Sequence, residues 1–286
     1  MKLLIDSNAQ AHKVKHTLGE LTFETMRVGV IFGFLGQIQK LAKEYGTNDL
    51  IFTWDSNKSH RENLFPAYKE KRRTLKEDKT PEEKEIDKAA YAQFDLLYNE
   101  VLPEIGFVNN YKLKGYEGDD LIASIVYANS KDDFLIVSGD EDMYQLLDPN
   151  VSILNSRGLY TLKDFNKEYD IDSLDWIQVK SIAGCKSDEV PGIRGVKEKT
   201  AIKYLKGLLT PNMKGYQSIT CPEGRNIIQR NKQLVTLPFH DCPEIILKPQ
   251  GSLSIDGFME ICKRYGFESY LRKESLDKWK TILNLK

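Results

Sequence analysis

DFLIVSGDEDMY, residues 133–144, is an unbroken apolar run that ends in a glycine turn and two carboxylates, Asp140 and Asp142. Such a run reads as a strand buried on both faces, the mark of a parallel sheet with helices on each side. Working outward, KLLID (2–6) and DLIFTWD (49–55) have the same character and end in Asp6 and Asp55. GFVNNY (106–111) reads as a third strand ahead of GYEGDD (115–120), and VSILN (151–155) as a fifth. Helical stretches lie between them: 23–45, then PEEKEIDKAAYAQFDLLYNEVL (81–102), EGDDLIASIVYANS (117–130) and a short DMYQLL (142–147). The second of these opens on Pro and acids, as a helix N-terminus should. This alternation predicts an α/β fold with a central, mostly parallel sheet flanked by helices.

After Arg157 the strand signal fades. Helical patterns cover 173–184, 197–209, 223–237 and 253–266, and the end, LDKWKTILNL, is also expected to be helical. No repeat or low-complexity linker interrupts the chain. We expect an α/β core over 1–172 and a helical region over 173–286 packed on it.

The 286 residues, 41% hydrophobic and 29% charged, describe a globular chain with a proper core. No apolar run approaches the ~20 residues of a membrane span, and MKLLIDSN turns acidic too soon for a signal peptide. Cys185, Cys221, Cys242 and Cys262 form no CxxC pair, so neither a disulfide frame nor a zinc ribbon is expected, and the cytoplasm is the expected location. The net charge of −1 conceals segregation: eight Lys/Arg against four Asp/Glu over 58–79, six against one over 194–214, and eight acids against three bases over 111–142. An acidic centre between basic segments suits a metal site whose substrate is a polyanion.

The acids fall at places that matter. In open parallel sheets the carboxyl ends of strands form the binding crevice, and Asp6, Asp55, Asp140 and Asp142 all follow strands. Glu117 and Asp120, at i and i+3, share a helix face beside Asp119. Two carboxylates ~4 Å apart repel by roughly 4 kcal/mol at an effective dielectric of ~20, so the cluster needs cations. Oxygen ligands without interleaved His select Mg²⁺ or Mn²⁺. Two such ions can activate water and neutralise a phosphodiester. Neither GxxxxGK[ST] nor GxGxxG occurs, so phosphodiester hydrolysis is the natural reaction. WDSNKSHRENLFPAYKEKRRTLK (54–76) adds basic groups for phosphates and aromatics, Phe65 and Tyr68, for stacking. VPGIRGVKEKTAIKYL (190–205) adds a glycine hairpin before a basic helix start, the logic of a helix-hairpin-helix grip on DNA backbone. Each feature alone also fits an ordinary solvated loop; their convergence is what carries the reading.

Together these residues resemble the 5′-nuclease superfamily: flap endonucleases, bacteriophage 5′-exonucleases and the N-terminal nuclease of bacterial DNA polymerase I. The likeness covers roughly 1–210, through LLIDSN, Asp55, YKEKR (68–72), GYEGDD, SGDED and SDEVPGIRGVKEKTA (187–201). Size and the compact C-terminus look most like the stand-alone bacteriophage members. The resemblance implies a PIN-like core, a helical arch at about 60–95, and a helix-three-turn-helix clamp at about 173–210. It implies two metals, Mg²⁺ or Mn²⁺. Asp6, Asp55, Glu117, Asp119 and Asp120 would form or support the first site, and Asp140, Asp142 and Asp188 the second. Lys69 and Arg72 fall where the family contacts the scissile phosphate. Expected DNA contacts are Arg61, Tyr68 and Arg73 on the arch, with Gly192, Gly195, Lys197, Lys199 and Thr200 on the clamp, where K⁺ is a further expected ion. The implied partner is DNA bearing a 5′ end, nick or flap, met by a monomer alongside replication proteins.

Two departures stand out. GCKSDE (184–189) replaces the family's GDxSDN, so Cys185 puts a soft thiol where a hard ligand is usual and weakens the second site for Mg²⁺; Glu189 is a candidate to compensate. Lys197 replaces a hairpin Gly. His12 and His16 lack a third ligand and are expected to hold no metal; the three Trp residues read as core, and PFHDCP (238–243) as a turn. A PIN-like RNase shares the strand-end acids but lacks the clamp. A DNA-structure-binding protein with a weakened metal site is the reading Cys185 motivates.

Overall fold

A computed structural model describes residues 1–286. β1 (Lys2–Asp6) leads directly into α1 (Ser7–Leu18), because Asp6 Oδ1 accepts from the Ala9 amide and caps the helix. A small hairpin at 22–27 precedes α2 (Gly29–Tyr45), which delivers β2 (Leu50–Trp54). An insertion follows: α3 (His60–Leu64), α4 (Glu70–Glu77) and α5 (Pro81–Leu96). α5 starts as its sequence promises, with Thr80 and Glu83 in a reciprocal capping box around Pro81. It runs on through a π-turn at Leu97–Val101 to Ile105, where Gly106 at φ 101° stops it.

β3 (Asn110–Lys112), α6 (Gly118–Ala128), β4 (Phe134–Val137), a 3₁₀ turn (Glu141–Leu146) and β5 (Val151–Asn155) complete the expected series. β6 (Gly158–Tyr160) turns back on β5, so the sheet order is β3-β2-β1-β4-β5-β6, with β5–β6 its antiparallel pair. The helical half comprises α7 (Leu162–Tyr169), α8 (Asp175–Ala183), α9 (Glu198–Leu205), α10 (Lys214–Thr220), α11 (Pro222–Val235), α12 (Ile255–Arg264) and α13 (Lys273–Leu283). No helix is long and apolar enough to cross a membrane.

Strand alternation divides the core. Leu3, Ile5 and Phe52 face one apolar cluster with Phe34, Phe94, Phe258 and Trp279. Leu4, Ile51 and Ile136 face another with Ile122, Trp176 and Ala201. The last helices, α12 and α13, therefore share the first core, α8, α9 and α10 pack into the second, and all three Trp side chains are buried.

Several elements depart from expectation; the helix expected over 23–45 begins at Gly29, after the 22–27 hairpin. α1 went unread because its buried stripe, Ser7, Gln10, Ala11 and Val14, has helical spacing but little hydropathy. β6, α7 and α10 are short and were likewise not anticipated. The third strand starts at Asn110 rather than 106 because Phe107 drops into the core.

Candidate metal centre and nucleic-acid interface

Strand order reverses at β1, making β1 and β4 the switch point where parallel sheets open a crevice. Asp6 ends β1, and its Oδ2 accepts from Ser138 Oγ just past β4 at 3.0 Å. The same hydroxyl accepts from the Asp140 amide at 3.2 Å. Asp55 follows β2; its Oδ1 accepts from the Gly118 amide at 2.7 Å and its own amide donates to Asn8 Oδ1 at 3.0 Å. Asp119 sits in the first turn of α6. None of Asp6, Asp55, Asp119 or Asp140 has a Lys, Arg or His nitrogen within 4.0 Å. Burial, then the charge of Asp55, pushes Asp6 up to about 6. Burial also raises Asp55, and raises Asp119 well above the usual range with help from Asp140 and Asp6.

The remaining acids are internally matched. Glu117 accepts from Lys69 Nζ at 2.6 Å, Tyr68 Oη at 2.8 Å and Arg61 Nη1 at 3.3 Å. Asp120, expected among the metal acids, receives both guanidinium arms of Arg61 at 2.7 Å and the amides of Glu117 and Phe239. It is fully buried, and both of its oxygens are spent. Arg61, expected to meet DNA, is 2% exposed and also donates to the Leu234 and Thr236 carbonyls. The PFHDCP stretch, given no role from sequence, closes this lock, with the Phe239 ring 4.9 Å from the guanidinium carbon.

Asp142, Cys185 and Asp188 each bring one ligand atom within 4.8 Å of the others, and no other three Asp, Glu, Cys or His residues do so. Cys185 Sγ donates to Asp142 Oδ2 at 3.4 Å and lies 2.9 Å from Ser187 Oγ. Burial, reinforced by Asp140, lifts Asp142 to about 7; burial, with Asp142 and Asp188, lifts the thiol to about 12. Asp188 accepts from Tyr68 Oη at 3.1 Å and Arg72 Nη2 at 3.3 Å, and lies 3.5 Å from Lys69 Nζ. Burial opposes the Lys69 charge, but Glu117 and Asp188 outweigh it and raise its pKa.

Lys180, which the sequence reading passed over, is buried beside this cluster, 3.6 Å from Asp142 Oδ1 and 3.0 Å from Glu198 Oε1 at the start of α9. A lysine on the Trp176–Val179 face of α8 is a polar break in an apolar stripe, a signal that could have found it.

The arch base and the clamp turn are tied together. The Lys69 amide donates to the Asp188 carbonyl, Lys71 N–H to Glu189 Oε2 at 2.6 Å, and Arg72 to the Ser187 carbonyl. Lys69 and Glu189, at φ 53° and 59°, both hold left-handed backbone, a conformation costing about 1–3 kcal/mol that survives only where surroundings over-determine it. Glu189 thus caps α4 instead of joining the metal cluster. Arg73 donates to the Tyr68 and Pro66 carbonyls, stiffening its own loop, and Tyr68 is buried.

Two clefts flank the acids. One of 760 Å³ lies beneath the arch, between Asn8, His12 and Asp55 on one side and Arg72, Lys76 and Lys79 on the other. The other, 660 Å³, separates Cys185 and Lys180 from Gly195, Lys197, Lys199 and Thr200. Gly195 has the left-handed φ of 79° its hairpin needs, whereas Lys197 is extended and requires no glycine. Gly192 packs against Ala183 so closely that a Cβ would sit 2.1 Å from backbone. His12 is wedged between Tyr91 and Phe94, and burial lowers its pKa to about 4.

A mostly parallel sheet with unmatched carboxylates at its switch point, a helical insertion above and a helix-hairpin-helix beside it defines the 5′-nuclease class of fold. The chain belongs to the 5′-3′ exonuclease, N-terminal resolvase-like domain family, which matches residues 1–173. It is 32% identical over 184 residues to the 5′-3′ exonuclease of Buchnera aphidicola subsp. Schizaphis graminum, 62% of this chain and 60% of that one. It is 29% identical over 209 residues to the thermostable DNA polymerase I of Thermus thermophilus, 71% of this chain but 24% of the polymerase. The chain thus spans about a quarter to three-fifths of the length of these relatives. In fold it is similar to bacteriophage T5 5′-exonuclease with bound zinc, at TM-score 0.71 and 23% identity over 99% of this chain and 98% of that one. The catalytic core of Rad2 in complex with DNA substrate gives TM-score 0.57 and 13% identity, over 99% and 91%.

Proposed function

We propose that this chain is a divalent-metal-dependent 5′-nuclease that hydrolyses DNA phosphodiesters at duplex ends, nicks or flaps and leaves 5′-phosphates, in phage DNA replication or repair. The observation that carries the proposal is the set Asp6, Asp55, Asp119 and Asp140: four carboxylates on one rim, raised in pKa where a shift is resolved, by burial and, for Asp6 and Asp119, by one another, with no ion pair to a side chain of their own. They fit hard divalent ions, and Asp142, Cys185 and Asp188 fit a second ion, since Asp142 Oδ1 is buried without a hydrogen-bond donor. Bound there, such ions would supply charge neutralisation and a water of lowered pKa.

The chain's own groups do the rest. Lys69 and half-exposed Arg72 stand at the rim, where they would offset charge building on the phosphate oxygens. Glu117 holds Lys69, and Tyr68 and Arg61 hold Glu117, so the cation is oriented before substrate arrives. Gly195, Lys197, Lys199 and Thr200 line the cleft that would take a duplex backbone, with the α9 N-terminus favouring phosphate. The basic cleft beneath the arch would accommodate a single-stranded 5′ end.

Replacing Asp140 and Asp142 together with Ala should abolish cleavage in Mg²⁺ or Mn²⁺ and spare DNA binding; full activity in that variant would sink the assignment. A labelled flap, a blunt duplex and RNA of the same sequence, each assayed in Mn²⁺ and in EDTA, would expose an RNase or a non-cleaving binder.

A further inference from the structure

We propose that the Asp142–Cys185–Asp188 cluster selects a thiophilic divalent cation, zinc in preference to magnesium, through the Cys185 sulfur. This rests on the metal-dependent reading above and names which ion the second position prefers. The three ligand atoms already lie within 4.8 Å of one another without any ion. The Asp142 side chain is 9% exposed, and its Oδ1 accepts no hydrogen bond, so a buried acceptor is left for a ligand to satisfy.

The donor set argues against a hard ion here. Asp142 lies 3.6 Å from Lys180, and Asp188 lies 3.5 Å from Lys69 and 3.3 Å from Arg72, but Lys180 is also paired with Glu198 and Lys69 with Glu117, so it is donor type and not charge that separates one divalent ion from another here. Magnesium binds oxygen and keeps near-octahedral geometry; here one of the three preplaced donors is sulfur. Zinc accepts four mixed sulfur and oxygen ligands, two carboxylates, a thiolate and water among them. On binding, the metal–sulfur bond replaces the S–H bond and the thiol proton leaves to solvent; no electron is transferred. The neighbouring set of Asp6, Asp55, Asp119 and Asp140 offers oxygen alone, so it remains a hard-ion site. One active site would then hold two chemically different positions.

The test uses the full chain without DNA. Cadmium, as a thiophilic probe, should develop the ultraviolet sulfur-to-metal charge-transfer band, and excess Mg²⁺ should not displace it. Cys185→Ser should lose that band, whereas a Cys221→Ser/Cys242→Ser variant should keep it. Calorimetric Zn²⁺ affinity should fall at least about tenfold in Cys185→Ser, the low end of what changes around a metal site cost. Cys185→Asp should weaken zinc and strengthen Mn²⁺ binding. The wild-type titration needs no variant to fold: an absent band, or one that Mg²⁺ displaces, overturns the proposal, as does a Cys185→Ser protein that retains band and affinity. DNA cleavage in Mg²⁺ without the band would refute the selectivity and leave the nuclease reading standing. The band without cleavage in any ion would refute the nuclease reading alone.

Discussion

The two acid groups differ in what neutralises them. Asp6, Asp55, Asp119 and Asp140 converge from four chain segments with no ion pair of their own, Lys69 and Arg72 acting on Asp55 and Lys69 on Asp119 only from beyond 4.0 Å, while Glu117, Asp120, Asp142 and Asp188 are met by Arg61, Lys69, Arg72 and Lys180. The first group stores repulsion that protons or an external cation relieve; the second is largely discharged by the fold. Carboxylate count alone therefore says little about where a hard ion binds. What matters is the charge left over after the chain has paired its own groups.

The largest effect should come from breaking the matched side. Arg61→Ala leaves Asp120 buried and unpaired, which should cost about 3–5 kcal/mol of stability in urea unfolding. Removing Asp120 as well should recover part of that loss; no recovery would mean that Arg61 acts through its carbonyl contacts instead. The unmatched side should behave in the opposite way. Asp119→Asn should lower cleavage by about 10²–10³-fold, the scale of losing one electrostatic stabiliser. In EDTA the same variant should melt higher, by ~2–4 °C for each kcal/mol of relieved repulsion. A lower melting temperature there would contradict the stored-repulsion account.

The smallest effect separates both groups from the surrounding fold. His12 faces Tyr91 and Phe94, with Lys15, His16 and Lys76 disfavouring its charge and Asp87 favouring it. Its native pKa of about 4 lies below the ordinary 6.5, so the unfolded chain binds the proton first. The stability it contributes is present above 6.5 and is lost as pH falls toward about 4. His12→Gln should flatten that part of the pH profile measured in EDTA; an unchanged slope would assign acid sensitivity to the carboxylates.

How much was legible follows from what each feature depends on. β1, β2 and β4 were readable because a strand buried on both faces leaves a continuous apolar run. α5 was readable because its cap and first turn carry their own chemistry. α1 was not, since Ser7 and Gln10 occupy its buried face and hydropathy sees nothing there. Asp6, Asp55, Asp119 and Asp140 were found as candidates from strand-end and helix-start positions. Asp120 and Arg61 were grouped with the metal and DNA residues because a buried ion pair has the same letters as an exposed one.

By itself, the sequence determined that acids stand at the ends of parallel strands and that a basic insertion follows Asp55. Those are local properties: periodicity sets which face a residue takes, and the end of an apolar run sets where the chain turns. Only the tertiary structure decided which acids are spent. Arg61 meets Asp120, Lys69 meets Asp188 and Lys180 meets Glu198 across separations of 59, 119 and 18 residues. Coulombic pairing and desolvation depend on distances of a few ångströms, and no local pattern encodes those.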